Sequence, residues 1–185
     1  RQRAPHGNYR IAFAFRNCLS YILKSKPKGV SVLAFGDSFT KGRVTVKPGV
    51  CDKTPSYPYA TFLQERLSRT RPGLANVTGI DYSSGMLAKA QEKRIYDALH
   101  MMDMNQSLDL VSNSFDAVTC IGTFTSTHVK PDAVRELVRV TRPGGSVIFT
   151  VRDDYWRATH FIDLVLELHA TKSVHLEQIR LEPYI

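Results

Sequence analysis

The sequence has few cysteines, and their arrangement excludes two classes of protein. Its three cysteines are Cys18, Cys51 and Cys120. No spacing between them matches a metal-ligand pattern, and an odd number does not close a disulfide framework. We therefore expect free thiols in a reducing compartment, and we predict a cytoplasmic protein without a structural metal.

Long apolar runs are also missing. No stretch approaches the roughly 20 apolar residues that cross a bilayer, so we predict no membrane span. In residues 11–23, Arg16 and Asn17 interrupt the apolar character and no small-residue cleavage site follows, so we expect no signal peptide. The length of 185 residues and the hydrophobic content of 43% instead suit a globular chain that can bury a core.

Acidic residues are scarce at the start of the chain. Residues 1–48 hold ten lysines and arginines but one acid, Asp37. Such a segment can attract nucleic acid or anionic lipid, but its aromatic residues are spaced as well for packing. We favour a solvated, partly disordered basic arm over residues 1–29, with a possible helix over 11–24, and we do not expect nucleic acid as a partner. A single domain is predicted over residues 30–185.

Strand and helix patterns alternate along that domain. The predicted strands cover residues 30–35, 77–81, 95–102, 115–122 and 146–151, with a last edge strand within 173–185. The predicted helices cover residues 86–93, a run from Pro131 to the Pro-Gly-Gly turn at 143–145, and residues 156–169. Alternation of this kind is typical of a parallel sheet. The fold class we predict is α/β, a Rossmann-like three-layer α/β/α sandwich with a mostly parallel sheet.

An acidic residue, Asp81, ends the strand at residues 77–81. Ser83 or Ser84 can cap the helix that follows, which leaves Asp81 at the carboxyl end of the strand. An aspartate in this position is often only a turn or cap residue. Ligands of open α/β sheets bind at these strand ends, however, and an acid there can accept hydrogen bonds from the vicinal hydroxyls of a ribose.

Three segments of this region resemble motifs of one enzyme family. Residues 78–83 (TGIDYS), 113–118 (NSFDAV) and 137–145 (LVRVTRPGG) are similar, in this order, to motifs of class I S-adenosylmethionine-dependent methyltransferases. Residues 122–125 (GTFT) and 151–154 (VRDD) resemble a subgroup, the Williams–Beuren-region methyltransferase-like proteins. The resemblance covers residues 76–185.

The resemblance implies S-adenosylmethionine as the cofactor and methyl transfer as the reaction. The cofactor contacts that it implies are Asp81 on the ribose hydroxyls, Tyr82 and Met86 packed nearby, Asp103 on the adenine amino group, Met104 over the ring, and Cys120, Ile121 and Gly122 beneath the sulfonium. Because transfer is an in-line displacement, the protein mainly positions the two reactants. No catalytic base is identified, and Tyr155 and His128 are the candidates we considered.

A second resemblance covers residues 30–73. Residues 32–40 (VLAFGDSFT), residues 57–60 (YPYA) and a predicted helix after them are similar to the first block of the GDSL or SGNH hydrolases. In that family Ser38 would be the nucleophile, on a turn where backbone N–H groups help to hold an oxyanion. The family's Asn and late Asp-x-x-His are not in place, because the one such pattern, Asp97 to His100, lies in a predicted strand.

The methyltransferase resemblance lacks one element at its start. That family carries a D-x-G-x-G-x-G loop about 17 residues before the ribose acid, where the bare backbone lets the cofactor approach. Here that position is Gln64, in a predicted helix, and the loop of residues 36–42 with Gly36 would have to serve instead. The chain therefore resembles a methyltransferase whose first strand and loop are those of a GDSL hydrolase, joined near residues 72–75.

These observations leave three hypotheses for the function. The favoured one is methyl transfer to an unidentified acceptor, a small molecule or a macromolecule, impaired by loss of the glycine-rich loop. The second is a serine ester hydrolase that uses Ser38, and the third is a non-catalytic remnant or binding module. Nothing in the sequence predicts the oligomeric state.

Overall fold

The computed structural model describes residues 10–12, 30–35, 75–125 and 129–179. The strands are β1 Arg10–Ala12, β2 Val30–Phe35, β3 Ala75–Asp81, β4 Ala98–Met101, β5 Phe115–Phe124, β6 Thr141–Val151 and β7 His175–Gln178. The helices in the described ranges are α1 Ser84–Glu92, α2 Ala133–Val140, α3 Asp153–Ala158 and α4 Phe161–Ala170.

The seven strands form one sheet in the order β4-β3-β2-β5-β6-β1-β7, and each described pair is parallel. The chain moves outward from β2 through β3 to β4, and then from β5 to β6 on the other side. Right-handed crossovers therefore place α1 on one face of the sheet and α2 on the opposite face. This arrangement confirms the predicted three-layer α/β fold with a parallel sheet, and its strand order reverses between β2 and β5.

The core lies between the sheet and the helices α2 and α4. Val134, Leu137 and Val138 of α2 are buried, as their helical spacing predicts. Phe124 of β5 and Phe161 of α4 are wholly buried, and their ring centroids lie 5.2 Å apart in an edge-to-face arrangement. The carboxyl-terminal helices are thus fixed to the sheet by aromatic packing.

A side-chain contact near the amino end of β5 joins β2 to β5 and β6. Asp116 of β5 is 5% exposed, and its Oδ2 accepts hydrogen bonds from the Ser31 N–H of β2 and from Nη1 of Arg142, both at 2.9 Å. Between β5 and β6 the register shifts, because Phe115 lies opposite Thr141 while Ala117 lies opposite Ser146. β6 begins at Thr141 and not at the predicted residue 146, so the Pro-Gly-Gly sequence lies inside the strand, where the additional residues opposite β5 form an irregularity in the pairing.

Three other predicted elements differ from the structure. Ile11 and Ala12, where we expected a helix to begin, lie in β1 between β6 and β7, and the rest of that helix falls outside the described residues. A short apolar run does not by itself distinguish helix from strand, and here pairing with two neighbouring strands decides the outcome. The predicted helix over 156–169 is instead two helices, because His160 has a left-handed backbone (φ 49°) that interrupts the helical hydrogen bonds.

The third difference is the strand predicted over residues 95–102, which is shorter. It begins at Ala98, and Asp97 just before it bonds twice to Val77 of β3: the Asp97 N–H donates to the Val77 carbonyl oxygen at 2.8 Å, and Asp97 Oδ2 accepts the Val77 N–H at 2.7 Å. The last edge strand is confirmed as β7 at the outer side of the sheet. The predicted domain limits at residues 29 and 30 stay a prediction.

Candidate functional site

The candidate site lies where β3, β2 and β5 end side by side. Phe35, the last residue of β2, lies opposite Ile80 of β3 and Cys120 of β5. Asp81 follows Ile80 directly, so it stands at the carboxyl end of the sheet beside the point where the strand order reverses. Crevices at such points are the usual ligand sites of open parallel sheets.

The geometry around Asp81 is that of a tight turn into a helix. Asp81 Oδ1 accepts the Ser83 N–H at 2.8 Å, and Ser83 Oγ accepts the Met86 N–H at 3.3 Å as the cap of α1. The carbonyl oxygen of Asp81 accepts the Met102 N–H at 3.2 Å, which joins this turn to the end of β4. The backbone therefore fixes the position of the carboxylate at the strand end.

Tyr96 packs beside Asp81. A Cβ atom added to Gly79 would lie 2.9 Å from the Tyr96 ring, so the bare glycine makes room for the close approach of the ring to β3. Burial, and to a lesser extent the negative charge of Asp81, raise the pKa of Tyr96 to about 12. The Tyr96 phenol is therefore neutral at physiological pH.

Asp103, the second acid predicted at the site, follows the adjacent strand β4. Its Oδ1 accepts hydrogen bonds from the backbone N–H of Asn105 at 2.8 Å and from Asn105 Nδ2 at 3.1 Å. Met104, between them in sequence, is buried with 8% exposure. Two carboxylates thus stand at the ends of neighbouring strands, with an apolar side chain next to the second.

The loop that carries Asp103 is held by an ion pair on α2. Arg139 donates to Glu136 through Nε at 2.8 Å and through Nη2 at 2.7 Å, and it also donates to the carbonyl oxygens of Leu108 and Leu110, both at 2.8 Å. Glu136 Oε2 accepts the Leu108 N–H at 2.8 Å. The hydrogen bond from Arg139 is the main reason that the pKa of Glu136 is lowered.

The end of β5 forms an irregular third side of the site. Gly122 has a φ of 76°, and its N–H donates to Thr150 Oγ1 at 2.7 Å. The register shifts between Cys120 and Phe124, which marks a bulge in β5. In the part of the chain that the structure describes, the Thr123 hydroxyl oxygen in this bulge is buried without a hydrogen-bond partner. A buried hydroxyl of this kind is available to a bound molecule or water.

The other predicted cofactor contacts differ in how far they are exposed. Tyr82 is 74% exposed, and α1 with Met86 buries none of its residues fully. Cys120 and Ile121 are buried in the sheet with 0% and 3% exposure. Gly36 lies outside the described residues. The structure therefore brings the predicted residues at the ends of β3, β4 and β5 to one edge, with Tyr82 at its surface.

Tyr155, considered as a catalytic base, and Asp97, considered for the hydrolase alternative, are both held in structural hydrogen bonds. The Tyr155 hydroxyl donates to the Val129 carbonyl oxygen at 2.7 Å, and burial raises the pKa of the Tyr155 phenol, so this residue is a structural donor. Asp97 is bonded to the β3 backbone, as described above, and His100 is exposed on β4. Ser38 and His128 lie outside the described residues. Within the described ranges no three His, Cys, Asp or Glu side chains could together hold a metal ion.

No helix in the described part of the chain is long and apolar enough to cross a membrane.

Sequence reasoning missed the residues that support the site. Asn105 and the pair Glu136 and Arg139 had no assigned role, because their partners lie 25 to 31 residues away in sequence. A local signal existed for Asn105, since Asp-x-Asn is a sequence in which side chains bond to the backbone two residues on. No comparable signal existed for Arg139, whose loop partners are set by the fold.

Comparison with known proteins agrees with this geometry. Residues 61–149 match the family model described as a methyltransferase domain. This match covers slightly less than half of the chain and includes Asp81 and Asp103.

Two curated relatives are similar over part of the chain. Methyltransferase-like protein 27 of Homo sapiens is 38% identical over 82 residues, which are 44% of this chain and 33% of that protein. Demethylmenaquinone methyltransferase of Corynebacterium glutamicum (strain R) is 30% identical over 120 residues, which are 62% of this chain and 49% of that protein. The chain therefore spans less than half the length of either relative.

Among solved structures, the CMeT domain of the citrinin polyketide synthase has the same fold. It superposes with a TM-score of 0.50 at 15% identity and covers 76% of this chain and 35% of that chain.

Proposed function

We propose that this chain binds S-adenosylmethionine at the carboxyl ends of β2, β3, β4 and β5 and transfers its methyl group to an acceptor. The observation that carries the proposal is the placement of Asp81 and Asp103 at the ends of two neighbouring strands, joined by the hydrogen bond from Met102 N–H to the Asp81 carbonyl. Carboxylates accept hydrogen bonds, which suits the two ribose hydroxyls and the adenine amino group.

The remaining surfaces of the site suit the same ligand. Met104, next to Asp103 in the sequence, is apolar and buried, and Gly122 carries no side chain at the bulge near the end of β5, where its φ is 76°. When bound, the cofactor supplies an electrophilic methyl group on a sulfonium. The role of the chain is to orient this group towards the acceptor and to hold the ribose and the adenine in place.

The finer assignments rest on sequence resemblance. The GTFT and VRDD segments support the Williams–Beuren-region subgroup, and the GDSL-like segment over residues 30–73 supports an exchanged first unit in which Gly36 approaches the cofactor. A cytoplasmic location suits the small number of cysteines, three in the sequence. No observation favours the hydrolase alternative, because Asp97 of its Asp-x-x-His pattern is bonded to the β3 backbone.

The experiment is calorimetric titration of the chain with S-adenosylhomocysteine. Two hydrogen bonds to a charged acceptor are worth about 1.5 kcal/mol each, so Asp81→Ala should weaken binding on the order of 100-fold. The matched control is Asp163→Asn, which changes an exposed acid of α4, outside the strands that form the site, and should leave affinity unchanged.

Two results would contradict the proposal in different ways. No binding by the unmodified chain at millimolar ligand argues against the cofactor site itself. Binding that survives Asp81→Ala with unchanged affinity argues against the role of Asp81. Urea denaturation of the variant, with a stability within about 1 kcal/mol of the parent, separates loss of the site from loss of the fold.

A further inference from the structure

The side chain of Asn105 joins two loops at the edge of the sheet. Its Nδ2 donates to Asp103 Oδ1 at 3.1 Å, and its Oδ1 accepts the Lys130 N–H at 2.8 Å. An amide can serve both partners because one end donates and the other accepts. Asn105 therefore connects the loop after β4 to the segment before α2.

The segment around Lys130 connects two parts of the fold. Lys130 follows the end of β5 and precedes α2, and its carbonyl oxygen accepts the Ala133 N–H at the start of that helix at 3.1 Å. The neighbouring Val129 carbonyl accepts the Tyr155 hydroxyl of α3. The position of Lys130 is thus set by α2, by α3 and by the amide of Asn105.

Asp103 depends on the same amide for its orientation. Both hydrogen bonds from Asn105 end on Oδ1 of Asp103, which fixes the rotation of the carboxylate and directs Oδ2 away from the loop backbone. A ligand group that donates to Oδ2 binds an acceptor that is already oriented, so less conformational entropy is lost on binding. Without the amide the carboxylate keeps only the backbone N–H of Asn105 as a partner in this loop.

We propose that Asn105 is a positioning residue that couples occupation of the Asp103 side of the cofactor site to the order of the Lys130 backbone ahead of α2. The inference rests on the proposed function, because it takes Asp103 as a cofactor contact. Coupling of this kind is reciprocal, so binding at Asp103 strengthens the bond to Lys130 and a fixed Lys130 favours binding.

Two variants separate the two ends of the amide. Asn105→Ala removes both hydrogen bonds of the side chain. Asn105→Asp retains an oxygen that can accept the Lys130 N–H but sets a second carboxylate beside Asp103. Gln106→Ala, at the next residue, is the matched control, since its side chain is exposed as well. Circular dichroism verifies that each variant is folded.

The measurements are hydrogen exchange at the Lys130 amide, with and without S-adenosylhomocysteine, and calorimetric affinity for that ligand. Asn105→Ala should speed exchange at Lys130 in the free protein and weaken ligand binding about 10-fold, within the range usual for coupled sites. Asn105→Asp should weaken binding while it keeps more of the Lys130 protection. In the unmodified chain and in Gln106→Ala, the ligand should slow exchange at Lys130.

The outcomes distinguish this inference from the proposed function. Unchanged Lys130 exchange in Asn105→Ala overturns the bridge. Faster exchange with unchanged affinity, or a ligand that leaves Lys130 exchange unaltered in the unmodified chain, overturns the coupling. If the unmodified chain binds no S-adenosylhomocysteine, the proposed function fails and the coupling fails with it, while exchange in the free protein still decides whether Asn105 holds the two loops together.

Discussion

Replacing Asp116 tests the side-chain contact that adds to the backbone pairing of β2 with β5. Its buried Oδ2 accepts both the Ser31 N–H and Arg142 Nη1 at 2.9 Å. Asp116→Ala removes the acceptor from both donors at once. Asp116→Asn retains an oxygen for the Ser31 N–H and removes the charge that faces Arg142.

The expected losses follow from the exposure of each donor. The half-buried Ser31 N–H loses a charge-assisted bond, which costs about 1–3 kcal/mol. The Arg142 side chain is 38% exposed and can be solvated by water, so its share is about 0.5–1 kcal/mol. We therefore expect Asp116→Ala to lower the free energy of unfolding by about 2–4 kcal/mol, and Asp116→Asn by about half as much.

Urea denaturation at neutral pH measures these losses, and a double-mutant cycle isolates the ion pair. Arg142→Met should cost about 1 kcal/mol more in the parent than in the Asp116→Asn background, because only the parent retains the partner charge. Asp109→Asn, which changes an exposed acid, is the control and should stay within about 0.5 kcal/mol. A loss below about 1 kcal/mol for Asp116→Ala, or an equal cost of Arg142→Met in both backgrounds, would refute the reasoning.

Two further predictions concern the core and the loop that carries Asp103. Phe161 is wholly buried among four aromatic rings at centroid distances of 5.2 to 6.4 Å, so Phe161→Ala should cost about 3–5 kcal/mol in urea denaturation, well above Leu166→Ala on the exposed side of the same helix. Arg139 lowers the pKa of Glu136 below its ordinary value of 4.5, so the stability that this carboxylate contributes is present above that value and is lost as the pH falls through the folded-state pKa. The stability difference between the parent and Glu136→Gln should therefore be full at about pH 7 and shrink as the pH falls below 4.5, and a difference that widens on acidification would contradict this.

The repeating units of the fold could be predicted from local patterns. The strand that ends at Asp81 and the cap at Ser83 depend on neighbours within five residues, and both are confirmed. The apolar face of α2 likewise follows from its own spacing. The burial of these faces agrees with the local preferences of the sequence, and for this reason the elements could be predicted from it.

Elements that depend on distant partners could not be predicted in the same way. The conformation of β1 depends on its pairing with β6 and β7, which lie far from it in the sequence. The left-handed backbone at His160 could not be predicted because the residue is not glycine or asparagine. In the site, Asp81 and Asp103 could be predicted because each stands at the end of a strand pattern in the sequence. The bond from Asn105 to Lys130 exists only because the fold brings two loops together.

The position of β1 has a consequence for how the sheet is assembled. Among the described strands, β7 pairs only with β1, and β1 in turn pairs with β6, so a strand from the start of the chain separates two strands from its end. Pairings across such long sequence separations give a high contact order. The conformational entropy of the intervening chain is lost before the contacts between the strands form. During vectorial synthesis residues 10–12 must therefore wait, without their neighbours in the sheet, until β6 has emerged, and β7 joins the sheet after β6.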